Sequence, residues 1–324
     1  MANLRKYIET KFDYDVTGLG AYVDEQSDAL IVKQVTRGAT LDYITIQEGV
    51  KGSAELKLMD DTLTYQSGDC SMTASGDTVF TDRAIAVETL GFMKKFCQKD
   101  LDGFWTQMNL RAGAMNEDKE IVFEEAITNY LLELHSAELD KLIWRGNKAT
   151  GTGNLAFMNG FRQFLTVANG CVDLNTSATA SITNTNAYDV FYEVFINSPE
   201  AVAESSDFVC FTGRENFNKL VKNLVDLNFF HYSPDQIATM DSVTVPGTDM
   251  VVRKVVGLNT LDNIYTGRAS HFVFGTDLTG DLDTYELWYS QDDDVVYLRS
   301  KFRGGVQVPY LDQVGVWNGT GSPN

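Results

Sequence analysis

Residues Glu117 to Arg145 carry helical periodicity on two sides, and no other feature restricts the fold as much. Phe123, Ala126, Ile127, Tyr130, Leu131, Leu134 and Ala137 recur at three- and four-residue steps, which gathers them on one broad face. Ile121, Leu132, Leu139 and Ile143 fall roughly opposite, as a narrower stripe. Glu124, Glu125, Thr128, Asn129, Glu133, Ser136 and Asp140 lie between the stripes. A surface helix needs one apolar face; this one calls for cover on two. At about 1.5 Å per residue it would run roughly 40 Å. Asn116 is a candidate N-cap, with Glu117, Asp118 and Glu120 suited to the positive end of the helix dipole, and Gly146-Asn147 ends the helix. The pattern fits either a buried helix of one ordinary domain or a spine between two layers.

The flanks decide how much chain is left to provide that cover. Residues 1–40 are mostly polar and glycine-interrupted, with a short strand at Leu30, Ile31, Val32 and Val35, and read as an arm. A strand starts at Leu41, Tyr43, Thr45 and Gln47, and Ala54, Leu56 and Leu58 continue at period two. The stretch YQSGDCSMTASGDTVF contains two Gly-Asp turn dipeptides, and strand signal resumes at Val79, Phe80, Ile85 and Val87. This is a long two-stranded excursion with a polar tip and too few large apolar residues for a core of its own. An isolated hairpin is marginal in water, so it is expected to lean on something else; a plain surface loop has the same composition. A short helix is expected at Gln98–Met108.

After the spine comes a Gly-, Thr- and Asn-rich connector to residue 185. Its GTGNLA follows a helix rather than a strand, so it lacks the context of a dinucleotide fingerprint. From Asn186 helix and strand alternate: helix at Ala187–Ile196, buried strand at Phe208–Thr212, helix at Arg214–Leu227. Strands at Val243–Val245 and Met250–Val256 bracket Pro246-Gly247, and another lies at Phe272–Phe274. Thr284 to Trp317 reads as strand throughout, broken by turns at QDDD and at Arg303-Gly304-Gly305, with Pro309 suited to an edge or terminal position and NGTGSPN as a tail. The fold class is α+β.

Charge and chemistry narrow the function. The chain has 26 basic and 45 acidic residues and a formal charge of −19, so on average it repels nucleic acid rather than adhering to it. No run of 18 apolar residues and no signal-peptide core is present, which points to a protein made and used in a cytoplasm. Cys70, Cys97, Cys171 and Cys210 form no CxxC pair, and His135, His231 and His271 are widely separated. Free buried thiols and structural histidines are expected, with no metal, no cofactor and no nucleophilic elbow. The acidic groups Asp277, Asp281, Asp283, Glu286 and Asp292, Asp293, Asp294 do not fit an EF-hand loop and read as solvated turns, or as a weak cation contact between subunits. Arg299, Lys301 and Arg303 occupy alternate positions and so share one strand face, where they could pair with acidic turns of a neighbour or simply be solvated.

The order of elements, carried by LIWRGN (Leu142–Asn147), DFVCFTGRENFNKLVKNLVDLN (Asp207–Asn228) and the strand-rich run from His271 to Val314, resembles the major capsid proteins of tailed bacteriophages, the Hong Kong 97 type fold. Many such proteins close the spine helix with a Trp-x-Gly step. The resemblance implies an N-arm at 1–40, an E-loop at 41–89, a peripheral domain at 90–185 and 285–319 with the spine helix at 117–145, an axial domain at 186–284, and a flexible tail at 320–324. It implies a structural protein, not an enzyme, that assembles with itself as hexamers and pentamers into an icosahedral shell enclosing double-stranded DNA without sequence-specific binding. The virion capsid, assembled in the host bacterial cytoplasm, would be its location. No long helical leader stands at the start, so a separate scaffolding protein is expected, with a portal and decoration proteins as further partners. Candidate contacts between subunits are Tyr65, Asp69 and Asp77 at the excursion's tip, Ile121, Leu132 and Leu139 on the narrow stripe, the Asp292, Asp293, Asp294 turn, and Arg299, Lys301 and Arg303. Two other readings remain open: an encapsulin-like compartment with the same fold, and an acidic α+β hydrolase using an Asp/Glu pair.

Overall fold

The computed structural model describes residues 40–68, 76, 78–97, 120–175, 181–228, 241–277, 284–290 and 295–319. The strand expected at Leu30–Val35, the helix at Gln98–Met108, the Asn116 cap, Asp69, Asp77, His231, Asp281, Asp283, the QDDD turn and the tail lie outside these residues. The elements begin with β1 (Thr45–Gln47), β2 (Ser53–Asp60), β3 (Val79–Ala86), β4 (Glu88–Cys97), α1 (Glu120–Arg145), β5 (Val172–Asp173) and α2 (Ala187–Asn197). They continue with β6 (Phe208–Thr212), α3 (Arg214–Asp226), β7 (Ser242–Thr244), β8 (Val251–Lys254), β9 (Asn263–Arg268), β10 (Val273–Gly275), β11 (Thr284–Ser290), β12 (Val295–Gln307) and β13 (Gly315–Asn318). They form two compact units. Residues 89–135 and 279–302 contribute to one, and residues 36–88, 136–278 and 303–324 to the other.

The larger unit is built on a sheet of order β5-β13-β9-β6-β8-β7. Strand β6 runs parallel to β8 and antiparallel to β9. All five of its residues are buried, because the sheet is covered on both faces. Phe208 and Cys210 join Val190, Phe191 and Val194 of α2 and Phe217, Leu220 and Leu224 of α3 in one core. Phe211 points to the opposite face, where its ring lies 5.3 Å from Trp144 at the end of α1. Strand β9, NIYTGR, escapes a reading by hydrophobic alternation. Its burial is made tolerable by polar partners: Asn263 Nδ2 donates to Asn318 Oδ1 at 2.5 Å, and the Thr266 and Ser198 hydroxyls lie 3.2 Å apart.

In the same unit β1 runs parallel to β10, and β10 pairs antiparallel with Gly305–Gln307 of β12. The strand expected from Leu41 begins only at Thr45. Residues 40–43 form a turn instead, with Tyr43 N–H donating to Thr40 O at 3.0 Å. Arg303-Gly304-Gly305 was expected as a turn but lies inside β12. The reason is close approach: a Cβ on Gly305 would fall on the Ala86 carbonyl. Gly305→Ala is expected to cost about 1–3 kcal/mol, read from the urea midpoint, because backbone rather than a flexible side chain must give way.

Strands β2 and β3 form a separate antiparallel pair from Ser53↔Ala86 to Asp60↔Val79. Ala54 and Leu56 lean on a small core of Val50, Ile85, Val87 and Val273. Segment 307–310 ties the pair down through side chains. Gln307 Nε2 donates to Ala84 O at 2.7 Å, Arg83 donates to Val308 O at 2.8 Å, and the Tyr310 hydroxyl lies 3.2 Å from both Met59 N and Met59 O.

In the smaller unit β11 pairs antiparallel with β12 from Thr284↔Lys301 to Ser290↔Val295, and β4 also pairs with β12. His135 on α1 lies between Phe92 (ring centroids 5.0 Å apart) and Phe302 (5.2 Å). Burial pushes its imidazole down to about 4 from the ordinary 6.5. The unfolded chain therefore takes up a proton in a range where the folded chain does not. The stability contributed by neutral His135 is complete above about 6.5 and is lost as pH falls toward about 4. Because the residue still partly reaches solvent, about 3 kcal/mol is an upper bound for that loss. The urea midpoint should fall between about pH 7 and about pH 4.5, and His135→Phe should flatten the fall. An equal fall in both proteins would assign the acid sensitivity elsewhere.

Candidate interaction surfaces

The last turns of α1 hold the most densely bonded site among the described residues. Trp144 is fully buried, with its ring 5.2 Å from Phe161, 5.5 Å from Tyr265 and 6.3 Å from Phe272. Its Nε1 donates to the Thr40 hydroxyl at 2.7 Å. One turn earlier, Asp140 Oδ1 accepts from Thr40 N–H at 3.1 Å and Oδ2 from Gly257 N–H at 2.8 Å. Burial pushes this carboxyl up, against the hydrogen bonds from Thr40, Gly257 and Val256 that favour its ionised form. Arg145 Nε donates to Gly257 O at 2.6 Å, and its guanidinium also donates to Asn259 O. Asn259 Oδ1 in turn accepts from Arg214 N–H at 2.9 Å and so caps α3, whose own N-cap residue, Gly213, offers no side chain. The α1 end is thus an internal clamp that joins residue 40, residues 256–260 and the sheet.

This clamp corrects the reading of the helix. Asp140 and Ser136 were placed between the apolar stripes but are buried. Thr40, assigned to the arm, is fully buried too. Leu134, assigned to the packed broad face, is 42% exposed. Leu139, a candidate contact with a neighbour, is covered by its own chain at 6% exposure. The backbone of Ile121 and Leu132 is helical, as expected.

The other surface is the end of the β2–β3 pair. Met59 and Phe80 are opposite one another in register, and both are exposed. Leu63 and Tyr65 beyond them are 78% and 89% exposed. Asp60 and Asp61 flank this apolar end and are exposed as well. A cluster of large apolar side chains standing clear of its own core is the mark of a surface meant to be covered.

The basic run lies on β12 as the alternation required. Leu298, Ser300 and Phe302 are buried, whereas Arg299 and Arg303 are intermediate and Lys301 is exposed. Arg299 lies opposite Glu286 in register. Arg303, a candidate for a neighbour's acidic turn, is taken by its own chain: it meets Asp277 at 2.6 Å. Asp277, expected in a solvated turn, is correspondingly buried.

Among the described residues no group of three His, Cys, Asp or Glu side chains is placed to hold a metal ion. Burial pushes the Cys171 thiol up to about 11 and Cys210 further. His271 is lowered by burial and by Arg268, and its ring lies 5.2 Å from Tyr310. No helix among the described residues is long and apolar enough to cross a membrane.

No protein-family model and no curated protein sequence matches the chain. Solved structures do. A chain of the capsid of an empty GTA particle, computed with C5 symmetry, is 12% identical with a TM-score of 0.56, over 87% of this chain and 89% of that one. A chain of the satellite phage P4 procapsid that includes the size determination protein Sid is 12% identical with a TM-score of 0.54, over 90% and 98%. A chain of the capsid of Myoviridae phage XM1 is 14% identical with a TM-score of 0.52, over 86% and 90%. At this identity the likeness is one of fold, and it spans nearly the whole of each chain: the protein has the Hong Kong 97 type capsid fold.

Proposed function

We propose that the chain is the major capsid protein of a tailed phage, assembling with itself as pentamers and hexamers into an icosahedral shell around double-stranded DNA. The observation that carries the proposal is the near full-length fold match to particles that are capsids. The exposed apolar end of the β2–β3 pair supports it, since large apolar side chains standing at a surface gain burial when a second molecule covers them. In this reading residues 1–40 are the N-arm, 41–89 the E-loop, 90–185 and 285–319 the peripheral domain, 186–284 the axial domain and 320–324 a tail. The role is structural rather than catalytic. A separate scaffolding protein, a portal and decoration proteins complete the partners, and the virion shell, formed in the bacterial cytoplasm, is its location. An acidic subunit suits this task, because it lines a container for DNA without trapping the polyanion.

Light scattering of the purified chain and electron microscopy of its particles test the proposal. A closed particle in the megadalton range, holding nuclease-protected DNA when recovered from infected cells, is the expected result. A stable monomer at every concentration overturns it, and particles that hold protein cargo instead of DNA transfer the reading to an encapsulin-like compartment.

A further inference from the structure

Strand β2 pairs with β3 alone, so alternate residues of β2 turn their N–H and C=O away from the ladder. At Met59, the last residue but one of β2, both groups meet the same atom. Met59 N–H donates to the Tyr310 hydroxyl at 3.2 Å, and that hydroxyl donates back to Met59 O at 3.2 Å. A phenol can do this because it is donor and acceptor at once. The tie is held from behind. The His271 ring lies 5.2 Å from that of Tyr310, tilted by 44°. Pro309 fixes its own backbone φ immediately before Tyr310. Gln307 is locked at both atoms of its amide, with Oε1 accepting from Val308 N–H at 3.0 Å and Nε2 donating to Ala84 O at 2.7 Å.

The ties differ in leverage. Ala84 is opposite Glu55 in register and Met59 is opposite Phe80. The run from Glu55 to Met59 therefore separates the Gln307 tie from the Tyr310 tie by about 13 Å, at about 3.3 Å per residue. With the inner ties alone, a swing of about 10° would carry the hairpin end about 2 Å, several times the ~0.5 Å that a binding constellation tolerates. The outer tie joins exposed groups, which add little to folding, but it takes a degree of freedom from the apolar surface beside it.

We infer that Tyr310 is the positioning residue of the assembly surface: its hydroxyl fixes the direction in which the exposed hairpin end leaves the subunit. The inference rests on the assembly reading and adds to it the side chain on which the aim of that end depends.

Tyr310→Phe in the full chain tests it, because phenylalanine keeps the ring and removes both bonds. In the unassembled subunit the Met59 amide should exchange its hydrogen about tenfold faster, with the circular dichroism spectrum unchanged. The concentration needed for particle formation should rise about three- to tenfold, the effect of losing one or two modest hydrogen bonds, and micrographs should show particles of mixed size. Ser205→Ala is the control. It removes a hydrogen bond of 2.7 Å to Val202 O in the same unit and should assemble at the natural concentration. If Ser205→Ala raises that concentration as much, the effect reports stability and the inference fails. If Tyr310→Phe assembles as the natural chain does and only Tyr310→Ala is impaired, the ring and not the hydroxyl matters; the inference fails and the assembly reading stands. Loss of the folded signal in Tyr310→Phe would place the hydroxyl in the fold itself and also overturn the inference. If the natural chain forms no particles, the assembly reading fails and takes this inference with it, whatever the Met59 amide shows.

Discussion

Trp144→Ala is expected to lower the stability of the subunit by about 3–5 kcal/mol, the range for truncating a large buried aromatic side chain. The indole is fully buried and touches rings from several separate segments: Phe161, Phe211, Tyr265 and Phe272. Gly257 leaves its collapse little freedom, since backbone is already packed against the indole. The variant also removes the hydrogen bond that the Thr40 hydroxyl accepts from Nε1 at 2.7 Å. Natural domains hold only about 5–15 kcal/mol in all, so the variant should be poorly soluble and show a sharply lower urea midpoint. Trp144→Phe keeps much of the packing and loses the hydrogen bond, and should cost about 1–2 kcal/mol. A loss below about 1 kcal/mol in the alanine variant would show that neighbouring rings fill the gap.

Deleting residues Thr64 to Thr78 is expected to leave a folded subunit and abolish shell formation. The described part of that stretch is exposed and contributes no side chain to the core. The ties that hold the hairpin body lie outside it, at Met59, Arg83 and Ala84. Subunit stability should therefore change by less than about 1 kcal/mol, as for other changes remote from packed groups, while Tyr65 is lost and the approach to Phe80 is rebuilt. Circular dichroism with light scattering separates the two effects. Loss of the folded signal would mean that the segment belongs to the core, and normal particles would mean that the hairpin end is not an assembly surface.

Much of the fold was legible because it follows periodicity. The α1 helix, the largely apolar β6, amphipathic α3 and the β2–β3 pair each announce themselves by spacing. What escaped reading was set by tertiary partners. Strand β9 is rich in polar residues, and its burial is made tolerable by two distant partners, Asn318 for Asn263 and Ser198 for Thr266. Asp140 looked like a solvent-facing residue, since nothing local reveals that Thr40 and Gly257 bring their N–H groups to it from 100 and 117 residues away. Gly304-Gly305 looked like a turn because glycine supplies both turns and close approaches, and only the position of Ala86 distinguishes them. Tyr65 is exposed, as a polar-tipped excursion requires, whereas Arg303 finds an acidic partner in its own chain that no local pattern reveals.

The caps of α2 and α3 have a consequence for the order in which the subunit can form. Arg145, in the last turn of α1, donates to the Asn259 carbonyl, and the Asn259 side chain starts α3. Asn223 of α3 accepts from Tyr188 N–H at 2.8 Å, which starts α2. Neither α2 nor α3 draws a side-chain cap from its own N-cap residue. A loop held by α1 therefore caps α3, and α3 in turn caps α2, in a relay that begins at the spine and crosses the sheet. Such a relay has no stable half-way stage: α2 and α3 gain their final hydrogen bonds only once distant segments have met, so the larger unit should fold and unfold as one cooperative block whose timing is governed by its longest-range contacts.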